Sequence, residues 1–390
     1  MPIWKIFKSV IGKDLLRVSI PCFINEPMSA VQKQGEFLIM AHDHFASAAN
    51  TDDPAERVAR TFIALSVFTS LIKLRRRKPF NPMLGETFEY VSEKFRFLAE
   101  KVEHIPKQII AFSMEGEDYY VRGYADPKPQ FVLSSSPMMK ICFGGLWDIH
   151  YSKHNDNITV TKPFMCFKNL MYGGFYIDIE GVVETVSHST GCRVDAEFIG
   201  KSANKPSHID GKCYDSTGHT KFRIEGSWQD ELYLINEQTG ERQSMWREQQ
   251  LMPDAHLQYF FNHLSLMMNY KNPTLARVLP PTDSRNRPDI RLFEDDLIDM
   301  AENAKCIMEE QQRKTRKHMD DNKLTWQPNF FSVRPHPYVT PTTFKNYAQA
   351  QQTEKPMLLY EIRQSEGDFK SYWDRREAGD WSGMPNLWGE

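Results

Sequence analysis

The chain has 390 residues, 41% hydrophobic and 25% charged, which is globular composition and excludes a disordered polymer. Its formal net charge of −3 supplies no bulk positive field, so no nucleic-acid partner is implied and any basic surface is local. Six cysteines (Cys22, Cys142, Cys166, Cys192, Cys213 and Cys306) are scattered without a C-x-x-C pair, so neither a zinc site nor a disulfide framework is spelled out, and a reducing cytosol is the simplest setting.

The opening run, MPIWKIFKSVIGKDLLRV, has helical periodicity. Trp4, Phe7, Ile11 and Leu15 share one face, with Lys5, Lys13 and Arg17 off it. The lysines interrupt the apolar centre that a signal peptide needs. Such a helix either packs on its own core, covers an apolar cavity or lies on a membrane surface. Residues 29–50 and 54–74 read as two more helices, the second started by Asp52 or Asp53 ahead of Pro54. The apolar stretch 61–72 falls short of the roughly 20 residues a bilayer span needs and reads as buried. A cytosolic chain that meets membranes only from outside is expected.

From about Glu86 to Trp246 the pattern changes to short alternating runs such as ITVTKPFMCF, GFYIDIEGVV and CRVDAEFIG, punctuated by Gly, Asn, Asp and Ser. This predicts a large antiparallel sheet or barrel, and the lack of a βαβ rhythm argues against a doubly wound fold. After Met252 helices return, with a long charged one over Asp296 to Asp320. From Gln327 the chain is rich in Pro and aromatics, irregular but ordered. The expected fold is mainly β (α+β) in a single domain: helices over 29–75, the sheet over 76–250, and a helical and irregular region over 251–390. A many-stranded barrel encloses a ligand-sized cavity, which points to a binding protein.

No G-x-S-x-G elbow, H-E-x-x-H, Walker loop or G-x-G-x-x-G is present. His42 and His44, two apart on a helix, do not share a face. No metal, cofactor or catalytic group is expected, and a lipid hydrolase is a remote alternative. Three segments carry possible chemistry. Lys78-Pro-Phe-Asn-Pro-Met-Leu-Gly-Glu86, preceded by Arg75, Arg76 and Arg77, makes a rigid turned strand entrance where Lys78 and Asn81 can offer donors to an anion. It reads equally as a structural turn beside a solvated basic run. In Glu100-Lys-Val-Glu-His-Ile-Pro-Lys107, His104 can donate to a phosphate, with Lys101 or Lys107 adding charge. On the late helix Lys305, Glu309 and Arg313 are spaced four apart and line one stripe, Glu309 holding both cations. The plain alternative there is a surface helix with ordinary ion pairs.

Together these segments resemble the oxysterol-binding protein-related family. IGKDLLRVSIPCFINEPMS is similar to the family's lid and first strand, and KPFNPMLGETFEYV to its most recognisable run. LPPTDSRNRPD, the stretch E-x-x-K-x-x-x-E-E-x-Q-R, W-x-P-x-F-F over Trp326 to Phe331, and FKSYWDRREAGDWSG extend the likeness over nearly the whole chain. The resemblance implies an incomplete antiparallel barrel around a lipid tunnel, with 1–28 as lid and first strand and Trp4, Phe7, Ile11 and Leu15 on the lid. It implies a monomer that extracts one lipid, a sterol or phosphatidylserine, in exchange for phosphatidylinositol 4-phosphate. Such a protein works peripherally on anionic membranes, at contacts of the endoplasmic reticulum. It implies a phosphoinositide headgroup held by Lys78, Asn81, His104, Lys305, Glu309 and Arg313. Where the family carries S-H-H-P-P, this chain has Glu103, His104, Ile105, Pro106 and Lys107. One phosphate donor is lost and a carboxylate is added, so weakened rather than abolished phosphoinositide binding is expected, with Lys107 a partial substitute. A lipid sensor that binds without transporting is the alternative.

Overall fold

The computed structural model describes residues 21–132, 137–170, 174–340, 342–344, 346 and 357–388. The lid positions Trp4, Phe7, Ile11 and Leu15 lie outside the described residues. A short strand β1 (Asn25–Ser29) leads into three helices, α1 (Ala30–Met40), α2 (His42–Ala49) and α3 (Pro54–Ser70). Ser29 and Gln32 form a capping box at the start of α1. Asp53 caps α3, accepting from the Glu56 amide at 3.0 Å, with Pro54 in the first turn where its missing N–H costs nothing. The expected single helix over 29–50 is broken at Ala41.

The strands follow: β2 (Lys78–Phe80), β3 (Thr87–Val91), β4 (Phe95–Lys101), β5 (Ile110–Gly116), β6 (Tyr119–Ala125), β7 (Lys128–Val132), β8 (Met138–Cys142), β9 (Trp147–Tyr151), β10 (Asp156–Val160) and β11 (Phe164–Lys168). The long β12 (Tyr176–Ser187) then precedes β13 (Arg193–Ile199), β14 (His208–Tyr214), β15 (Thr220–Gly226), β16 (Glu231–Asn236) and β17 (Arg242–Arg247). Fifteen of these strands form one antiparallel sheet, running from β17 through β12, β10, β9 and β6 to β3, with β7, β8 and β11 as a side flap. Its two ends, β3 and β17, do not pair with each other among the described residues, so the barrel is incomplete, as expected. The C-terminal region holds α4 (His263–Met267), α5 (Pro273–Val278), α6 (Pro288–Glu294), α7 (Ile298–Asp321), β18 (Phe331–Pro335), β19 (Leu358–Ile362) and α8 (Tyr372–Ala378).

The main core lies between α1–α3 and one face of the sheet. Phe37, Phe62 and Leu65 on the helices meet Phe97, Ile149, Val194, Phe198 and Ile224 on the strands, each fully buried large apolar side chain contributing about 1.5–3 kcal/mol. Gly35 of α1 sits where a Cβ would meet Phe88 and Phe97 at 3.0 Å, so glycine sets how closely that helix approaches the sheet. Arg57 of α3 makes a buried ion pair with Asp156 of β10 at 2.9 Å. On the opposite face of β4–β6, Leu98, Ile109 and Tyr124 pack against Phe330, Tyr360 and Tyr372 of the C-terminal region. A recess of about 10 Å³, room for roughly one water, is lined by Gln34, Phe37, Phe68, Phe143, Trp147 and Lys162. A wider cleft of about 300 Å³ opens between the ends of α1 and α3 and the segment after β17, against Leu71, Trp246, Met252 and Phe261.

Candidate functional site

The K-P-F-N-P run enters the fold as β2, paired in parallel with β1 through Asn25 and Lys78. The Asn25 side-chain amide donates to the Lys78 and Pro79 carbonyls at 3.1 Å each, so a buried asparagine fixes the backbone under the first lysine. The Lys78 ammonium donates to the Asn81 side-chain oxygen, which brings the two expected headgroup ligands into direct contact. Behind them Arg287 donates to the Asn81 carbonyl at 2.9 Å and to Glu86 at 2.7 Å, and forks onto Asp289 at 2.7 and 3.0 Å. Glu86 also accepts from the Met83 amide at 2.8 Å and from Ser284 at 2.7 Å. The D-S-R-N-R-P-D stretch is therefore the buried clamp that shapes the run. Gly85 closes the turn at φ +84°, a conformation suited to glycine, with Trp326 against its α-carbon.

The second segment follows β4. His104 is half-buried, and its Nε2 lies 3.2 Å from the Gln312 side-chain nitrogen of α7, which can donate to it. The other end of Gln312, its Oε1, accepts from the Leu84 amide at 2.8 Å. One glutamine thus ties the late helix to both earlier segments. On α7, Lys305 is buried, 3.9 Å from Glu309 and 3.3 Å from Glu302, and Glu309 reaches Arg313 at 3.8 Å. Glu302 in turn accepts from the Cys22 amide at 2.5 Å, anchoring the helix beside the start of β1. Arg313 is the outermost member, its side chain 66% exposed.

Charge couples the K-P-F-N-P run to the late helix and to the end of β4. Burial first, then the Lys305 charge, pushes the Lys78 ammonium down to about 8; Glu309 opposes this and Arg287 adds to it. Burial likewise pushes Lys101 down to about 7, against the pull of Asp126, Glu103 and Glu86 and with a further push from Lys78.

All six residues singled out from sequence are described; Lys78, Asn81, Lys305 and Glu309 are linked by contacts or by charge, and His104 reaches the late helix through Gln312. Arg313 joins through Glu309. Gln312, Arg287 and Asn25 were not foreseen; their roles arise from contacts across the fold. One reading is corrected. Arg75 is not part of a solvated basic run: it is buried, with two hydrogen bonds to Glu26 at 3.0 Å each, a further bond to Glu36, and its guanidinium over Phe261. Two carboxylates from distant segments draw it inward, and only Arg76 and Arg77 remain exposed.

Comparison with known proteins completes the picture. A sequence profile described as "Oxysterol-binding protein" matches residues 2–356. Oxysterol-binding protein-related protein 6 of Homo sapiens is 31% identical over 335 residues, covering 84% of this chain and 35% of that protein. Oxysterol-binding protein-related protein 1 of Homo sapiens is 29% identical over 391 residues, covering 86% and 40%. The chain thus spans about a third to two-fifths of the length of these relatives. The crystal structure of the Osh1 ORD domain in complex with cholesterol shares the fold, with a TM-score of 0.86 at 24% identity over 99% of this chain and 91% of that one. The Osh3 ORD in complex with PI(4)P from Saccharomyces cerevisiae superposes with a TM-score of 0.79 at 27% identity, over 100% and 96%. Among the described residues no helix is long and apolar enough to cross a membrane. With a profile match from residue 2 to residue 356 and a named relative 31% identical over 84% of this chain, this chain belongs to the oxysterol-binding protein family, whose members bind lipids rather than catalyse a reaction.

Proposed function

We propose that this protein extracts a single lipid, a sterol or phosphatidylserine, and carries it between membranes in exchange for phosphatidylinositol 4-phosphate. The headgroup phosphates bind at the rim formed by Lys78, Asn81, His104, Lys305, Glu309 and Arg313. The observation that carries this reading is the meeting of three distant segments at one crowded cationic rim, with Lys78 under the charge of Lys305 and Glu309, and with His104 and Leu84 joined by Gln312. A lysine is suited to a point-charge contact with phosphate and an arginine to a bidentate one. Ile105 offers no hydrogen bond where the family carries a second histidine, so the site is weaker than a two-histidine one. Transfer needs no catalysis: the protein shelters acyl chains or a sterol, worth about 0.8 kcal/mol per methylene kept from water. The exchange runs at anionic membrane surfaces, with the protein as a peripheral cytoplasmic monomer.

The test is transfer between two liposome populations, one containing phosphatidylinositol 4-phosphate and the other sterol or phosphatidylserine. Lys305→Ala and Arg313→Ala are expected to lower phosphoinositide extraction about ten- to hundred-fold, the worth of one charge-assisted hydrogen bond. Sterol uptake should be unchanged. Stoichiometric binding without movement between liposomes would make the protein a sensor instead.

A further inference from the structure

Lys101 is the last residue of β4 and is 1% exposed. Alternation along the strand decides where it points. Phe97 and Ala99 belong to the core between the sheet and α1, whereas Leu98 packs on the opposite face and Glu100 accepts from the Asn329 and Phe330 amides there. Lys101 therefore shares the inner face with Phe97 and Ala99. Its backbone is locked to the K-P-F-N-P run: the Gly85 amide donates to its carbonyl at 2.9 Å and its amide donates to the Glu86 carbonyl at 2.8 Å. Among the described residues its ammonium makes one hydrogen bond, to Gln108 at 2.8 Å, and no ion pair. Gln108 in turn donates to the His104 carbonyl, so Lys101 is wired to the histidine segment as well.

A buried ammonium with one neutral partner is costly, and this one lies within the field of a second lysine, Lys78. Methionine or glutamine at the same place would fold at lower cost. The groups that face it are Lys78 from β2, Glu86 from the turn before β3, Glu103 from the following loop and Asp126 from the end of β6. None closes on it. A dianionic phosphate at the rim would offset the mutual charge of Lys101 and Lys78.

We propose that Lys101 is a further ligand for the phosphate monoester of an anionic lipid headgroup, reached from the inner side of the rim that carries Lys78, His104 and Lys305. This rests on the headgroup reading above and adds to it a residue that selects phosphorylated over unphosphorylated headgroups.

The test uses the full chain with vesicles containing phosphatidylinositol 4-phosphate, phosphatidylinositol or sterol, and the variants Lys101→Met and Lys101→Gln. Both variants should melt at or above the temperature of the parent protein, since a buried charge is removed. Extraction of phosphatidylinositol 4-phosphate should fall about ten- to hundred-fold while phosphatidylinositol and sterol uptake stay within about two-fold. Folded variants that extract the phosphorylated lipid as well as the parent does overturn the role of Lys101 and leave the headgroup reading intact. A parent protein that takes up sterol but never the phosphorylated lipid overturns both. Inorganic phosphate in millimolar excess should leave extraction unchanged; its abolition by phosphate would assign Lys101 to a free-phosphate site and overturn the lipid assignment.

Discussion

Lys78 and Lys101 give the rim a pH signature whose sign differs between the free and the lipid-bound protein. Both ammonium groups are held down, to about 8 and about 7, and half-buried Lys162 is also pushed down to about 7. Each has its folded value below its unfolded one, so between pH 7 and 8.5 the unfolded chain binds more protons and stability rises with pH. The slope is up to about 1.4 kcal/mol per pH unit for each lysine that is neutral in the fold. The ligand-free protein should therefore melt at a higher temperature at pH 8.5 than at pH 7. A phosphate bound as proposed would reverse the preference at Lys78 and Lys101, because it would stabilise their charged forms. Phosphoinositide affinity should fall as pH rises from 7 to 8.5, with proton uptake on binding measurable as a buffer-dependent heat; a flat profile would separate these lysines from the ligand. Arg287 acts at the same scale. Replacing it with alanine leaves Glu86 and Asp289 buried without their partner. A loss of about 3–5 kcal/mol in denaturant unfolding is expected. The sequence named Lys78, Asn81 and His104 because motif chemistry is local. It did not show Arg287 or the inward turn of Arg75, because their partners stand far along the chain: Arg75 meets Glu26 and Glu36, 49 and 39 residues away.

At the scale of elements, α7 carries its charged residues and its attachment to the earlier segments on one face. Lys305, Glu309 and Arg313 repeat every fourth residue and were legible as a stripe. Gln312, seven residues on from Lys305 and three on from Glu309, lies on the same face and makes the cross-link, accepting from the Leu84 amide and touching His104. Helical periodicity carries no sign of this, since the partner amide is 228 residues away. Gln312→Ala should leave α7 folded and lower phosphoinositide affinity through a looser His104, and restoring the amide with Asn should not recover it because the shorter side chain misses Leu84. Vesicle extraction and melting temperature, measured side by side, separate that from a folding defect. The turn at Gly85 makes a second element-scale case. Its φ of +84° and the Trp326 ring 3.0 Å from an added Cβ mean that Gly85→Ala strains the backbone and displaces the W-x-P-x-F-F segment. A loss of about 1–2 kcal/mol from the backbone alone is expected in thermal unfolding. Strand and helix positions were readable because period two and period 3.6 differ plainly. The break at Ala41 was not, because no proline or glycine marks it.

For the whole molecule, the alternating runs between Glu86 and Trp246 announced an antiparallel sheet, but not its order. The side flap of β7, β8 and β11 departs from sequential pairing, since β9 pairs with β6 while β11 returns to β8 and β12. Such pairings depend on long-range closure that composition does not encode. The same long-range geometry sets the surface next to the rim. Arg76 and Arg77 are exposed on the segment that leads into Lys78, stacked over Phe175 and Tyr259 at 5.6 and 5.0 Å, and Arg77 donates to the carbonyl of half-exposed Phe23. Two cations set against aromatic rings, on the segment next to Lys78, are the face proposed to meet an anionic leaflet. Each contributes about 1 kcal/mol near such a surface, or roughly thirty-fold together. Arg76→Gln with Arg77→Gln should weaken cosedimentation with phosphatidylserine vesicles by that order at low salt and by far less at high salt, where the field is screened. Lipid extraction from neutral vesicles should be unaffected, because neither side chain belongs to the rim. If binding to anionic vesicles keeps its full strength and salt dependence without these two arginines, the membrane is met by another face.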